Sequence, residues 1–68
     1  MPSPFNYLFS GHLTQAREQK NYSQEYVAAA VGISPREYQR YEKGLSQPRA
    51  ETFLRLISFL DMDIQELP

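Results

Sequence analysis

The stretch from Gly32 to Glu37 constrains the fold of this chain more than any other. Gly32 follows an apolar segment and is typical of the residue just after a helix, because glycine readily adopts a left-handed backbone. Ser34 and Glu37 have the spacing of a capping box, and Pro35 suits the first position of a helix. Only Ile33 lies between Gly32 and Ser34, so the sequence predicts two helices joined by a sharp turn.

Two helices are predicted before this turn. The first runs from Pro4 to about Lys20, with a helically spaced apolar face formed by Phe5, Phe9, Leu13 and Ala16. Gly11 weakens its middle and leaves open a later start, near Ser10. The second begins after the N-cap Ser23, spans about two turns, and buries Val27, Ala28 and Val31.

The remaining helices follow the same logic. The third helix begins after Ser34, buries Tyr38 and Tyr41, and closes at Gly44 after roughly three turns. A fourth helix runs to about Leu60 with a broad apolar stripe: Ala50, Phe53, Leu54, Leu56, Ile57 and Leu60. A last short turn capped by Asp63 is expected to fold Ile64 and Leu67 back on the core. The prediction is an all-α, compact bundle of about five short helices, one domain over 1–68, with a helix-turn-helix at 23–44.

Size and composition argue against catalysis. A chain of 68 residues buries only about 60% of its unfolded surface, which leaves little room for an enclosed active site. It has no cysteine and a single histidine, His12, which we interpret as structural, so neither a metal site nor a Ser-His-Asp triad is indicated. We therefore expect no enzyme, no cofactor, no metal and no small-molecule substrate. Without a membrane-spanning run or a secretory signal, a soluble cytoplasmic protein is expected.

The net charge of −1 hides an uneven distribution. All seven Lys and Arg lie between Arg17 and Arg55, against five Glu in the same span, while Asp61, Asp63 and Glu66 make the end acidic. The central region is the part suited to a polyanion, and the acidic end is expected to face away from one.

The solvent face of the third helix carries the candidate chemistry. Opposite the two tyrosines, at spacings of three and four, are Arg36, Gln39, Arg40 and Lys43. Arginine can bond guanine O6 and N7 together, and glutamine can bond adenine N6 and N7. An ordinary solvated helix face has the same composition, so this helix alone does not decide between the two.

The wider sequence pattern favours base contact over an ordinary solvated helix face. It comprises Ser23-Gln24-Glu25, Val27-Ala28, Val31-Gly32-Ile33-Ser34, Tyr38, Tyr41-Glu42-Lys43-Gly44, Pro48, Glu51-Thr52-Phe53-Leu54, Leu60 and Ile64-Gln65-Glu66-Leu67. Over Arg17 to Leu67 the chain resembles the lambda-repressor-like helix-turn-helix family, also known as the Cro and phage-repressor or xenobiotic-response-element family. The resemblance implies sequence-specific binding of double-stranded DNA by a transcriptional regulator, a repressor of bacterial or phage type.

The resemblance also implies roles for individual residues. The third helix is the recognition helix, with Arg36, Gln39 and Arg40 at base-contacting positions. The backbone-contacting positions are Gln24, Ser34, Lys43 and Arg49. Arg17 and Glu42 match an ion pair that joins the first helix to the third.

Four positions depart from the family pattern. Pro35 replaces a polar residue that often reads a base, and Asp61 replaces a glycine. Arg49 stands where a small hydroxyl residue usually caps the fourth helix. Glu37 is an anion near the groove, where it either serves in capping or accepts from cytosine N4.

Family members bind pseudo-palindromic sites as two-fold dimers, so a homodimer is expected. Phe59 falls on the polar side of the fourth helix with Thr52 and Arg55, and we interpret it, with Met62, as a dimer contact. The alternative is a non-functional exposed phenylalanine. A rival function on the same fold is a protein-interaction or antitoxin-like module.

Overall fold

The computed structural model describes residues 4–63 and 65, and within them the chain is a bundle of four helices without a strand. The helices are α1 (Pro4–Gln19), α2 (Gln24–Val31), α3 (Pro35–Glu42) and α4 (Ala50–Phe59). The all-helical class is confirmed, but the expected count of about five is one too high for this part of the chain. Of the predicted last turn, Asp63 accepts a hydrogen bond from the Gln65 N–H at 2.9 Å, which is a local turn. The expected core contacts of Ile64 and Leu67 lie outside the described residues.

Helix α1 runs unbroken through Gly11, so the alternative start near Ser10 is wrong. The reason is the aromatic packing of its first turns. Phe5 stacks on Phe9 with ring centroids 5.6 Å apart, and Phe9 contacts Phe53 of α4 at 5.3 Å. Aromatic burial of this kind outweighs the roughly 1 kcal/mol that a glycine costs inside a helix.

The sharp turn between α2 and α3 is built as the sequence predicts. Gly32 has φ 79°, and the N–H groups of Gly32 and Ile33 donate to the carbonyls of Ala29 and Ala28, the double bond of a Schellman motif. Ser34 then caps α3, because its Oγ accepts the Glu37 N–H at 3.1 Å. One residue separates the two caps, so α2 and α3 meet abruptly.

Helix α3 is shorter than expected, with eight residues, or about two turns, instead of three. Gly44 ends it, with φ 73° and a second Schellman pair in which the Gly44 and Leu45 N–H groups donate to Tyr41 and Arg40. The predicted stop at Gly44 is therefore confirmed. The expected length is too long because Lys43 and Gly44 form the C-terminal cap and follow Glu42, the last helical residue.

All four helices contribute to one core. Its buried members are Phe9, Leu13, Val27, Ala28, Val31, Tyr38, Tyr41, Leu56 and Leu60. The inward orientation of both tyrosines of α3 is confirmed. The apolar stripe of α4 is narrower than expected, since Ala50 is exposed and Leu54 is 59% exposed.

Phe59 also differs from the expectation. It is partly buried and not exposed, because its ring packs on Tyr22 with centroids 5.4 Å apart and on Tyr26 at 5.9 Å. These three rings form a cluster that joins the start of α2 to the end of α4.

A polar network connects α1 to the start of α2 and the end of α3. The Arg17 Nε lies 2.6 Å from Glu42 Oε2, and both side chains are largely buried, with exposed fractions of 14% and 6%. Arg17 also donates to the Tyr22 carbonyl at 2.9 Å, and Gln24 Nε2 donates to Glu42 Oε1 at 3.0 Å. One guanidinium therefore links α1, the segment before α2, and the end of α3.

We predict that Arg17→Met lowers the free energy of unfolding by about 3–5 kcal/mol, because Glu42 stays buried without its cation. Urea unfolding measures the loss. The control is Lys20→Met, which breaks an exposed ion pair with Asp61 and should cost less than about 1 kcal/mol. The double variant Arg17→Met/Glu42→Leu should lose less than the sum of its single variants. Strictly additive losses would show that the two groups are not coupled.

Candidate nucleic-acid interface

The predicted base-reading residues lie on the solvent side of α3. Arg36 and Arg40 are exposed and Gln39 is partly exposed, while Tyr38 and Tyr41 hold the opposite side of the helix in the core. At 1.5 Å per residue α3 is about 12 Å long, a length that fits into a DNA major groove. The helix is therefore anchored in the core by its two tyrosines and presents guanidinium and amide groups to the solvent.

Three of the predicted backbone-contacting residues lie at helix ends. Ser34 is the N-cap of α3, Lys43 its C-cap, and Arg49 the N-cap of α4. All three are exposed. The Ser34 hydroxyl already accepts a backbone N–H, whereas Arg49 cannot cap α4 because a guanidinium has no acceptor, and its side chain lies exposed at the start of that helix.

Gln24, the fourth residue predicted to contact the DNA backbone, also has a partner within the protein. It is the first residue of α2, and its amide nitrogen donates to the Glu42 carboxylate at 3.0 Å. Since an amide nitrogen has two hydrogens, one stays available for a ligand. Gln24 therefore joins the ion-pair network to the surface.

The network shifts the ionisation of its members. Burial works to raise the pKa of Glu42, but the hydrogen bond from Arg17, the nearby Tyr38 hydroxyl and the hydrogen bond from Gln24 outweigh it and leave that pKa below its ordinary value. The hydrogen bond to Glu42 raises the pKa of Arg17. Burial raises the pKa of Tyr38, and the neighbouring Glu42 carboxylate raises it further. The pair stays ionised and the tyrosine neutral at physiological pH.

A second charged group lies beside α3. The Glu37 carboxylate accepts from Ser46 Oγ at 3.4 Å and lies 3.8 Å from Arg40 Nε. Burial raises the pKa of Tyr41 to about 12, and the Glu37 carboxylate contributes in the same direction while Arg49 opposes it. Glu37 and Arg49 therefore act on the buried Tyr41 with opposite signs. Sequence reasoning missed Ser46, because its contact with Glu37 depends on how the loop after α3 folds back.

The two residues predicted as dimer contacts line different concavities of the surface. Phe59 borders an open groove with Ala30, Val31 and Leu54. Met62 lines a separate, more polar pocket with His12, Asp61 and Asp63. Two exposed apolar side chains accompany Phe59, Tyr26 in its ring cluster and Leu54 in its groove, and the sequence analysis predicts neither as a dimer contact.

Within the part of the chain that the structure describes, His, Cys, Asp and Glu nowhere gather in a group of three that could hold a metal ion. Over the same residues, no helix is both long and apolar enough to cross a membrane.

Known proteins share this sequence pattern. The family described as helix-turn-helix matches residues 13–67. The chain is 35% identical over 60 residues to the cryptic phage CTXphi transcriptional repressor RstR of Vibrio cholerae, covering 88% of this chain and 54% of that protein. It is 36% identical over 55 residues to the HTH-type transcriptional regulator AnsR of Bacillus subtilis, covering 81% of this chain and 47% of that protein. The chain thus spans about half the length of the curated relatives it matches.

Solved structures share the fold at lower identity. The clp gene regulator ClgR from Corynebacterium glutamicum is similar with a TM-score of 0.86 and 17% identity, over 97% of this chain and 70% of that chain. The SOS-response transcriptional repressor LexA from Eubacterium rectale gives a TM-score of 0.84 and 21% identity, over 93% and 67%.

The lowered pKa of Glu42 predicts how stability depends on pH. Its contribution is complete above the unfolded-state pKa, about 4.3, and is lost as the pH falls through the folded-state pKa. Glu42→Gln should therefore flatten the dependence of the free energy of unfolding on pH in the acid range. Urea unfolding over a pH series measures this, with Glu25→Gln, an exposed carboxylate of α2, as the control. An unchanged acid slope in Glu42→Gln would rule out this linkage.

Proposed function

The chain belongs to the helix-turn-helix family, and from this premise we propose that it binds double-stranded DNA sequence-specifically as a transcriptional regulator. The observation that carries the proposal is the orientation of α3: Arg36 and Arg40 are exposed while Tyr38 and Tyr41 are buried. The names of the curated relatives, a phage repressor and a bacterial regulator, support a repressor of bacterial or phage type. Such a protein acts in the cytoplasm by binding and not by catalysis.

Each side chain of the surface has a role in this proposal. Arg36 and Arg40 bond guanine edges in the major groove, and Gln39 bonds adenine. Lys43 and Arg49 contact phosphates on either side of the groove, and Gln24 donates its remaining amide hydrogen to another phosphate. The N-terminus of α3, capped by Ser34, adds its partial positive charge.

We further propose that the protein binds DNA as a homodimer. Three base-reading side chains on one helix specify only a few base pairs, so a two-fold repeat of the site raises specificity greatly. The surface proposed for the second copy is the α4 face at Phe59, where the 59% exposed Leu54 borders an open groove. Met62 belongs to a neighbouring pocket and is the second residue to test.

The rival function is a protein-interaction or antitoxin-like module. The groove at Leu54 and the net charge of −1 favour it. The cluster of exposed cations, Arg36, Arg40, Lys43 and Arg49, favours DNA. Salt dependence discriminates between the two functions. The logarithm of a DNA-binding constant falls steeply and linearly with the logarithm of the salt concentration, whereas an apolar contact in the groove does not weaken in this way.

The experiment that tests the proposal is enrichment of a random double-stranded DNA pool on the purified protein, followed by sequencing. A palindrome with half-sites about one helical turn apart is the expected result and supports both specific binding and a dimer. A single half-site supports DNA binding and removes the dimer. No enrichment at low salt would overturn the DNA proposal in favour of the interaction module.

We predict that Arg36→Ala and Arg40→Ala each weaken binding to the selected duplex by about 1–3 kcal/mol and relax its sequence preference. Lys43→Ala should weaken selected and unrelated duplexes alike and reduce the salt slope by about 1. Fluorescence anisotropy measures all three. The control is Lys20→Ala, which removes a cation just after α1 that pairs with Asp61 and is assigned neither to DNA nor to the groove at Leu54. If the α3 variants bind as the control does, α3 is not the reading helix.

A further inference from the structure

Glu37 is the one acidic side chain on the solvent side of the first turn of α3. Its carboxylate is 40% exposed and lies among the cations assigned to DNA. An anion at this position repels phosphate, so it weakens DNA binding unless it also makes a compensating contribution to recognition. Its contacts indicate what that is.

The carboxylate of Glu37 has two partners from different elements. Oε2 accepts from Ser46 Oγ at 3.4 Å, which ties it to the loop after α3. Oε1 lies 3.8 Å from Arg40 Nε, one helical turn along. The backbone N–H of Glu37 is separately held by the Ser34 cap at 3.1 Å. The Arg40 contact is an ion pair beyond hydrogen-bond distance between side chains that are 46% and 40% exposed, so the carboxylate attracts the guanidinium toward one side without locking it.

The nitrogen of Arg40 that faces Glu37 matters for base reading. The Glu37 carboxylate approaches Nε, the inner nitrogen of the Arg40 guanidinium, so the two terminal nitrogens stay available as a pair of donors. A bidentate contact with guanine O6 and N7 uses two parallel N–H donors of this kind. A long side chain such as arginine loses rotamer freedom when it binds, and ordering it beforehand reduces that cost.

We propose that Glu37 is a positioning residue that aligns Arg40 for one guanine and, through its charge, weakens binding to non-target DNA. The proposal rests on the DNA-binding function above and adds a determinant of specificity to it. On a target site the aligned guanidinium compensates for the repulsion between Glu37 and phosphate. On other sequences no base contact does so, and only the repulsion is left.

The charge is tested with Glu37→Gln, which keeps the shape and the acceptor for Ser46 but removes the charge. Affinity for a scrambled duplex should rise about two- to fivefold, the range of an exposed charge pair, as repulsion is relieved. Affinity for the selected duplex should stay within about twofold, because the lost alignment of Arg40 offsets the relieved repulsion, so the ratio of the two affinities falls about two- to fivefold. Glu18→Gln, which removes the charge of an exposed carboxylate of α1, is the control and should leave the ratio unchanged.

Two further variants separate positioning from other roles. Glu37→Asp keeps the charge but shortens the reach, so only affinity for the selected duplex should fall. In an Arg40→Ala background, Glu37→Gln should raise affinity for the selected duplex as much as for the scrambled one, because only the repulsion is left when the residue it positions is gone. Unchanged thermal unfolding of Glu37→Gln shows that these effects do not arise from a damaged fold.

Several outcomes would overturn the proposal. One is a parallel change in both affinities or no change in either. Another is a loss of affinity for the selected duplex on Glu37→Gln in the Arg40→Ala background together with a new base preference at one position, which would make Glu37 a reader of cytosine N4. Wild-type protein that selects no sequence would instead remove the DNA function itself, and the proposal with it.

Discussion

The contact between Arg17 and Glu42 is the interaction on which the rest of the structure depends. A guanidinium from α1 reaches the end of α3 and, with another nitrogen, the carbonyl of Tyr22 just before α2. The same carboxylate accepts from Gln24 at the start of α2. Two largely buried charges cost desolvation energy, and they are tolerated because nearly every hydrogen-bonding group they present has a partner. The result is a junction that fixes three helices relative to one another in a domain with a small apolar core.

This junction explains how a helix of eight residues can present a defined surface. An isolated helix of that length is not stable in water, so α3 exists because its neighbours hold it. Two capped ends define its length, and Tyr38 and Tyr41 fix its rotation by entering the core. The side chains on the other side then have a known direction. The proposed role of Glu37 extends this ordering from the helix to one of its arginines.

The parts of the fold that could be predicted from sequence are those encoded within a few neighbouring residues. The caps at Ser23 and Ser34 and the stop at Gly32 depend on local backbone chemistry, and each was found at its predicted position. The exposure of Arg36 and Arg40 follows from helical periodicity in the same way. What could not be predicted depends on distant pairs. Phe59 was expected in solvent but packs on Tyr22, and the Ser46 contact of Glu37 requires the path of a loop. No spacing rule describes contacts between elements, because they depend on the angles at which helices cross.

The most direct test of DNA reading by α3 is a map of the surface that contacts DNA, obtained from backbone amide NMR shifts as a duplex is added to the whole chain. If α3 is the reading helix, the largest changes lie in α3, at the start of α2 and at Arg49, with amides of the Leu54 groove unaffected by the first half-site bound. Changes centred on that groove, with α3 silent, would contradict this role. They would mean that the junction holds α3 for a purpose other than reading DNA.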